Sequence, residues 1–219
     1  MKKVQLQHWL TSCFLVLITF GCSSDKAEEN QLPFYNQADF TPEWIISSEP
    51  SYSNIHKIAD FKLEDQNGNF ITNATLKDKI YVADFFFTLC PGICPKMTSN
   101  MTRIQEEFEE DDDIKLLSHS VMPWADSVSV LKAYADLKGI NNKKWHLLTG
   151  RQEDIYNLAR QSYFAEKEIG LDKDTDEFLH TENFVLIDGK GRIRGVYNGT
   201  LALEMTRLIT DIRTLKDFG

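Results

Sequence analysis

The apolar positions of this chain change their spacing in a regular order along its length. Residues 58–63 and 70–71 flank Asn67-Gly68, a strong short-range hairpin signal. Residues 80–87 (IYVADFFF) form an almost continuous apolar run, the pattern of a central strand buried on both faces. Met97, Met101, Ile104 and Phe108 then recur at helical spacing, and the acidic stretch 106–113 ends that helix as a solvated turn. Residues 114–121 read as the next strand. Val128, Leu131, Tyr134 and Leu137 mark a second helix, stopped by Gly139. Residues 145–148 predict a short strand, and 154–162 a helix with Ile155, Leu158 and Ala159 turned inward. Residues 184–187 and 193–197 predict a hairpin closed by Asp188-Gly189-Lys190-Gly191, and 203–215 a last helix. This order predicts an α/β domain: a central mixed sheet flanked by helices, with an N-terminal hairpin extension.

Upstream of that domain the pattern is different. Lys2 and Lys3 precede an apolar stretch at residues 9–20, which ends in Gly21-Cys22. A stretch of that length falls short of the ~20 residues of a membrane-spanning helix, and the layout is that of a secretory signal peptide. A cysteine just after a small residue resembles the lipidation site of bacterial lipoproteins, although Thr19 and Phe20 depart from its strict pattern. The expected organisation is a leader at 1–21, a lipid-anchored tether and arm at 22–56 with Cys22 as the lipid site, and one domain at 57–219. Residues 23–35 are polar, while Phe40, Trp44, Ile45 and Ile46 are expected to pack on the domain. Residues 165–179 are charged and read as an excursion beside the site. The expected location is extracytoplasmic, on a bacterial membrane and facing the periplasm.

Composition narrows the partners. With 42% hydrophobic and 26% charged residues, the 219-residue chain has enough apolar surface for a core. Its net charge is −9, and Lys2 and Lys3 are the only charges in the leader, so a processed chain is more acidic still. Such a surface repels phosphate backbones and argues against nucleic-acid binding. Of four cysteines, only Cys90 and Cys94 lie in the domain. Two cysteines four apart close almost no loop, so they are poor staples and point to chemistry instead. Cys90 ends the buried strand and Cys94 opens a helix, with Pro95 in its first turn. The helix N-terminus favours thiolate, and two soft sulfurs there suit Cu(I) or closure into a disulfide.

With Cys90-Pro91-Gly92-Ile93-Cys94-Pro95 after its strand, and the single histidine His180 just before the strand that starts at Phe184, residues 57–215 resemble the Sco/SenC family. The resemblance implies a thioredoxin-like fold and a copper site formed by Cys90, Cys94 and His180. It implies a copper chaperone acting in assembly of cytochrome c oxidase, a binding and delivery protein rather than an enzyme. The implied partners are the oxidase's copper-bearing subunit or another copper chaperone. Two positions depart from the family pattern: Met122 stands where an aspartate is usual, and Leu179 precedes the histidine where aspartate is common. Met122 offers a soft thioether, though methionine is commonly a gap-filler in cores.

The second reading is a thiol–disulfide reductase that keeps a partner metalloprotein's cysteines reduced, with Cys90 and Cys94 as the redox pair. Asp84, inside the apolar strand, resembles the buried carboxylate that accepts a proton in thioredoxin-like oxidoreductases; the structural alternative is a carboxylate satisfied by backbone N–H groups. Against this reading, the cysteine spacing is one longer than in those oxidoreductases, and residues 180–184 contain no proline. Phe87 stands where a thiol peroxidase of this fold needs Thr or Ser. His8, His56, His119 and His146 are read as structural or outside the core.

Overall fold

The computed structural model describes residues 31–165 and 181–218. The leader, Cys22, all but the first residue of the charged segment 165–179, and His180 lie outside these residues.

Seven strands share one sheet. Sequence order gives β3 (Lys62–Asp65), β4 (Phe70–Thr72), β5 (Ile80–Phe86), β6 (Ile114–Ser120), β7 (Trp145–Thr149), β8 (Asn183–Ile187) and β9 (Ile193–Asn198), and their spatial order is β4-β3-β7-β6-β5-β8-β9. The β5–β6 and β6–β7 pairs are parallel and the others antiparallel, so the sheet is mixed. Every residue of β5 is buried, as its unbroken apolar run requires of a strand covered on both faces. The β3–β4 hairpin turns at Gly68, whose φ of 77° is freely available only to glycine. The Asp65 carboxylate accepts from the N–H groups of Asn67 and Asn69 and so closes the turn.

Two cores result, one on each face. On one, α1 (Cys94–Glu107), α2 (Val128–Lys138) and α4 (Ala202–Phe218) bury Met97, Met101, Ile104, Leu131, Met205 and Leu208 against Val82, Phe86 and Leu116. On the other, α3 (Gln152–Asn157) brings Ile155 and Tyr156 against Ala83, Phe85, Leu117 and Val185. Helix α3 then widens into a π-turn over Leu158–Ser162, in which Tyr163 N–H bonds to the Leu158 carbonyl. Leu158 and Ala159 are buried there, so the inward residues are those expected although the winding is not regular.

Helix α2 corrects one expectation. Leu131 is fully buried, but Leu137 is 78% exposed and Ala135 takes the inward position. Steps of three residues turn a helix by ~300°, so three steps carry position 137 about half a turn away from position 128. Gly139 ends α2 in the left-handed conformation, as expected.

Of the arm residues expected to pack on the domain, Ile45 is buried and Phe40 half-buried, whereas Trp44 and Ile46 are exposed. Strands β1 (Phe34–Tyr35) and β2 (Pro42–Glu43) pair as a small separate sheet, and Phe34, Ile45 and Ile55 form a satellite core. Arg194 holds this arm by donating to the carbonyls of Leu32 and Pro33, and its guanidinium lies 4.0 Å from the Phe34 ring centroid.

Candidate metal centre

The buried strand delivers its chain end to a helix start, and the two cysteines stand at that junction. After Phe86 the chain turns, with Cys90 N–H bonded to the Phe87 carbonyl. Helix α1 begins at Cys94 with Pro95 in its first turn, and its N-cap residue Ile93 supplies no capping side chain. Pro95 has no N–H, and those of Lys96 and Met97 bond to the Ile93 carbonyl, so the N–H groups left to an anion are those of Gly92, Ile93 and Cys94.

The two thiols are unequal. Cys90 is half-buried and Cys94 buried. Burial opposes ionisation of Cys90, but hydrogen bonds from the Cys94 thiol and the N–H groups of Cys94, Gly92 and Ile93 outweigh it and hold its pKa below the usual thiol value. Cys94 is pushed up to about 12, first by burial, then by the bond it gives Cys90, with the charges of Cys90 and Asp84 adding to the effect. The pair thus offers one thiol that ionises more readily than usual and one that holds its proton until a cation or an oxidant draws on it. Two adjacent soft sulfurs of this kind fit Cu(I), and fit thiol–disulfide exchange equally.

Behind the pair lies a carboxylate with side-chain partners. Asp84 is buried in β5 and accepts from Ser118 Oγ at 2.5 Å, and that hydroxyl accepts from Trp145 Nε1 at 2.8 Å. Burial pushes Asp84 up to about 7, against the opposing Ser118 bond. Its partner is the neighbouring Ser118 hydroxyl rather than the backbone N–H groups considered from sequence.

The other histidines of the described residues are engaged away from the thiols. His119 is fully buried on the opposite face, stacked on Phe85 at 5.0 Å, and burial pushes it down to about 4. His146 Nδ1 lies 3.0 Å from the Asp65 carboxylate, and His56 Nε2 lies 2.8 Å from the Ser162 carbonyl. Strand β8 starts at Asn183, and its antiparallel register, Ala83 opposite Val185, puts that start at the cysteine end of β5. Among the described residues no three His, Cys, Asp or Glu side chains gather as a metal cluster.

Met122 is half-buried in the loop after β6, where its N–H bonds to Ser120 Oγ. A carboxylate reaches this region from four residues further on. Asp126 is fully buried and accepts from Thr88 N–H (3.2 Å), Thr88 Oγ1 (2.5 Å) and Ser120 Oγ (2.5 Å). Sequence reasoning missed Asp126, Ser118, Ser120 and Trp145. The available signal was the pair of serines inside a strand expected to be buried, since buried hydroxyls need partners.

The comparisons agree with this architecture. Residues 50–217 match the SCO1/SenC family model. The chain is similar to a SCO1/SenC family lipoprotein from Bacillus anthracis str. Ames, with 32% identity and a TM-score of 0.65 over 74% of this chain and 95% of that one. It is similar to BsSco, a member of the Sco family of cytochrome c oxidase assembly proteins in which a disulfide switch was identified, with 29% identity and a TM-score of 0.64 over 75% and 96%. A third similar structure is Bradyrhizobium japonicum ScoI with copper bound, with 26% identity and a TM-score of 0.54 over 68% and 97%. With its thioredoxin-like mixed sheet and a matched region spanning most of its length, the chain belongs to the SCO1/SenC family.

Proposed function

We propose that this protein is a membrane-anchored copper chaperone whose Cys90, Cys94 and His180 hold one copper ion and pass it to the copper centre of cytochrome c oxidase. The unequal thiol pair at the start of α1 supports this reading: hydrogen bonds hold the pKa of one sulfur below the usual thiol value, and the second sulfur is buried beside it. His180 lies three residues before Asn183, where β8 starts at the cysteine end of β5, and a neutral imidazole complements two thiolates for both copper oxidation states. The copper-bound ScoI and the oxidase-assembly role of the family to which BsSco belongs support the cargo and its destination. Copper is the protein's cargo. The residues hold it, and ligand exchange with an acceptor's soft donors releases it.

Cys22 anchors the chain through lipid on the periplasmic side of a bacterial membrane, a reading supported by the B. anthracis lipoprotein. No helix among the described residues is long and apolar enough to cross a membrane. Cys22→Ser is expected to move the protein from the membrane to the soluble fraction.

Thiol–disulfide exchange is the second reading, and Asp84 favours it. The Cys90 thiolate attacks a partner disulfide, and one partner sulfur leaves as a thiol. The Cys94 sulfur then displaces the second partner sulfur and gives up its proton, with the buried Asp84 carboxylate as the candidate base. The Cys90–Cys94 disulfide forms as the partner's breaks, and two electrons pass to the partner.

Anaerobic titration of the reduced domain with Cu(I) and Cu(II) separates the readings. One equivalent is expected to bind, to be lost in Cys90→Ser/Cys94→Ser, and to weaken for Cu(II) in His180→Ala. Undiminished binding by the double cysteine variant would overturn the copper reading. Fast reduction of a partner disulfide, with Cu(II) binding indifferent to His180→Ala, would put the reductase ahead.

A further inference from the structure

Two loops meet above the end of the sheet, and one buried carboxylate ties them together. The first, after β5, carries Thr88, Leu89 and Cys90; the second, after β6, carries Met122, Pro123 and Trp124. Val121 N–H bonds to the Phe86 carbonyl where the loops leave the sheet. Beyond that point Asp126 links the two loops. Its Oδ1 takes the Thr88 hydroxyl, its Oδ2 takes both the Thr88 N–H and the Ser120 hydroxyl, and Ser120 in turn receives the Met122 N–H. Residues 86–95 and 120–125 contain no charged side chain, so Asp126 stands alone as a charge between two uncharged loops.

Thr88 lies two residues before Cys90. The turn that brings N–H groups of Gly92, Ile93 and Cys94 to the Cys90 sulfur starts from wherever Thr88 is held. A charged acceptor taking three hydrogen bonds in a dry site is a firm hold, because charge-assisted bonds are about twice as strong as neutral ones and a donor left unpaired there is costly.

We propose that Asp126 is a positioning residue for the thiol pair: by clamping Thr88 it fixes the loop in which Cys90 faces the first turn of α1, and thereby favours the reduced, dithiol state. This rests on Cys90 and Cys94 being the functional pair, but not on copper, so its test is metal-free. An amide in place of the carboxylate leaves one acceptor oxygen where three donors converge and turns an NH2 group towards at least one of them. The loop relaxes, the N–H groups lose their aim, and the reduced state loses more than the disulfide state does.

The test is the equilibrium of the protein dithiol with glutathione. Cys90 and Cys94 form their disulfide as that of oxidised glutathione breaks, and two electrons and two protons pass to two glutathione thiols. Asp126→Asn is expected to shift this equilibrium towards the protein disulfide by about fivefold or more, close to 20 mV for a two-electron couple. Thr88→Val, which removes the hydroxyl and keeps the N–H, is expected to shift it the same way by less and to serve if Asp126→Asn does not fold. Thr88→Ser keeps both bonds and should match wild type. In the Asp126→Asn/Thr88→Val double variant the shifts should not add, since both cut one linkage. An equilibrium within twofold of wild type in both single variants, whatever their melting temperatures, would reduce Asp126 to a structural residue and overturn the proposal; so would additive shifts, or a shift towards the dithiol.

Discussion

At the cysteine end of the sheet the chain leaves β5 through an uncharged loop, with Leu89 70% exposed and Trp124 of the neighbouring loop 60% exposed. At the other end, the β8–β9 turn buries Asp188, Arg192 and Arg194 together. Asp188 Oδ2 lies 2.7 Å from Arg192 Nη2 and 3.3 Å from Arg194 Nη1, and both guanidiniums stack over Phe34 of the arm. The arm end is charged, closed and paired within the chain. The cysteine end leaves a half-buried thiol and apolar side chains to solvent. At the arm end the charges meet in buried ion pairs; at the cysteine end the loops that face solvent carry no charged side chain, and the carboxylates of Asp84 and Asp126 are buried beneath them.

The largest expected effect lies at the locked end. Asp188→Ala leaves two buried guanidiniums without their carboxylate and should destabilise the domain by about 3–5 kcal/mol in urea unfolding. Copper stoichiometry of the folded fraction should not change. Loss of copper binding with retained stability would break the division between the two ends.

The next effect is a pH dependence from Asp84. Its pKa is raised in the folded state to about 7 by burial, above the ordinary carboxyl value in the unfolded chain, so the folded state holds a proton that the unfolded state gives up. Its stabilising contribution is full below the unfolded pKa and is lost as pH rises through about 7. Wild type should therefore weaken relative to Asp84→Asn between about pH 4 and pH 8, by an amount on the order of 2–4 kcal/mol at 1.36 kcal/mol per unit. A constant difference between the two across that range would show that Asp84 ionises freely in the fold.

At the exposed positions the effects should be small. Leu137→Lys and Trp124→Ser should each change unfolding free energy by no more than about 0.5 kcal/mol. By contrast, Leu131→Ala, on the buried face of α2, should cost about 2–5 kcal/mol. A large loss from Leu137→Lys would mean that this face of α2 is covered in the working protein.

The sequence made the frame of the molecule legible because its strongest signals are local. Asn67-Gly68 encodes a hairpin by backbone conformation, and residues 80–87 announce a central strand by unbroken apolarity. The same strand led directly to Cys90 and Cys94, because a cysteine pair between a buried strand and a proline-led helix is visible in one line of sequence. The short β1–β2 pair was not legible: two residues are too few to show a period of two. Nor was the π-turn after α3, since the inward residues there satisfy an ordinary helical pattern. Around the site, what was hidden is what folding brings together from afar. Trp145, Ser118 and Asp84 come from three strands, and Asp126 reaches Thr88 from the far side of β6. Single polar letters in apolar runs marked these positions, but only pairing in space shows which polar group answers which.

X-ray absorption at the copper edge reads the donors of the proposed Cys90, Cys94 and His180 copper site. On the protein loaded anaerobically with one equivalent of copper, the account predicts two sulfur donors and one nitrogen donor, with the nitrogen lost in His180→Ala and both sulfurs lost in Cys90→Ser/Cys94→Ser. Copper held by nitrogen and oxygen alone in the reduced wild-type protein would contradict it.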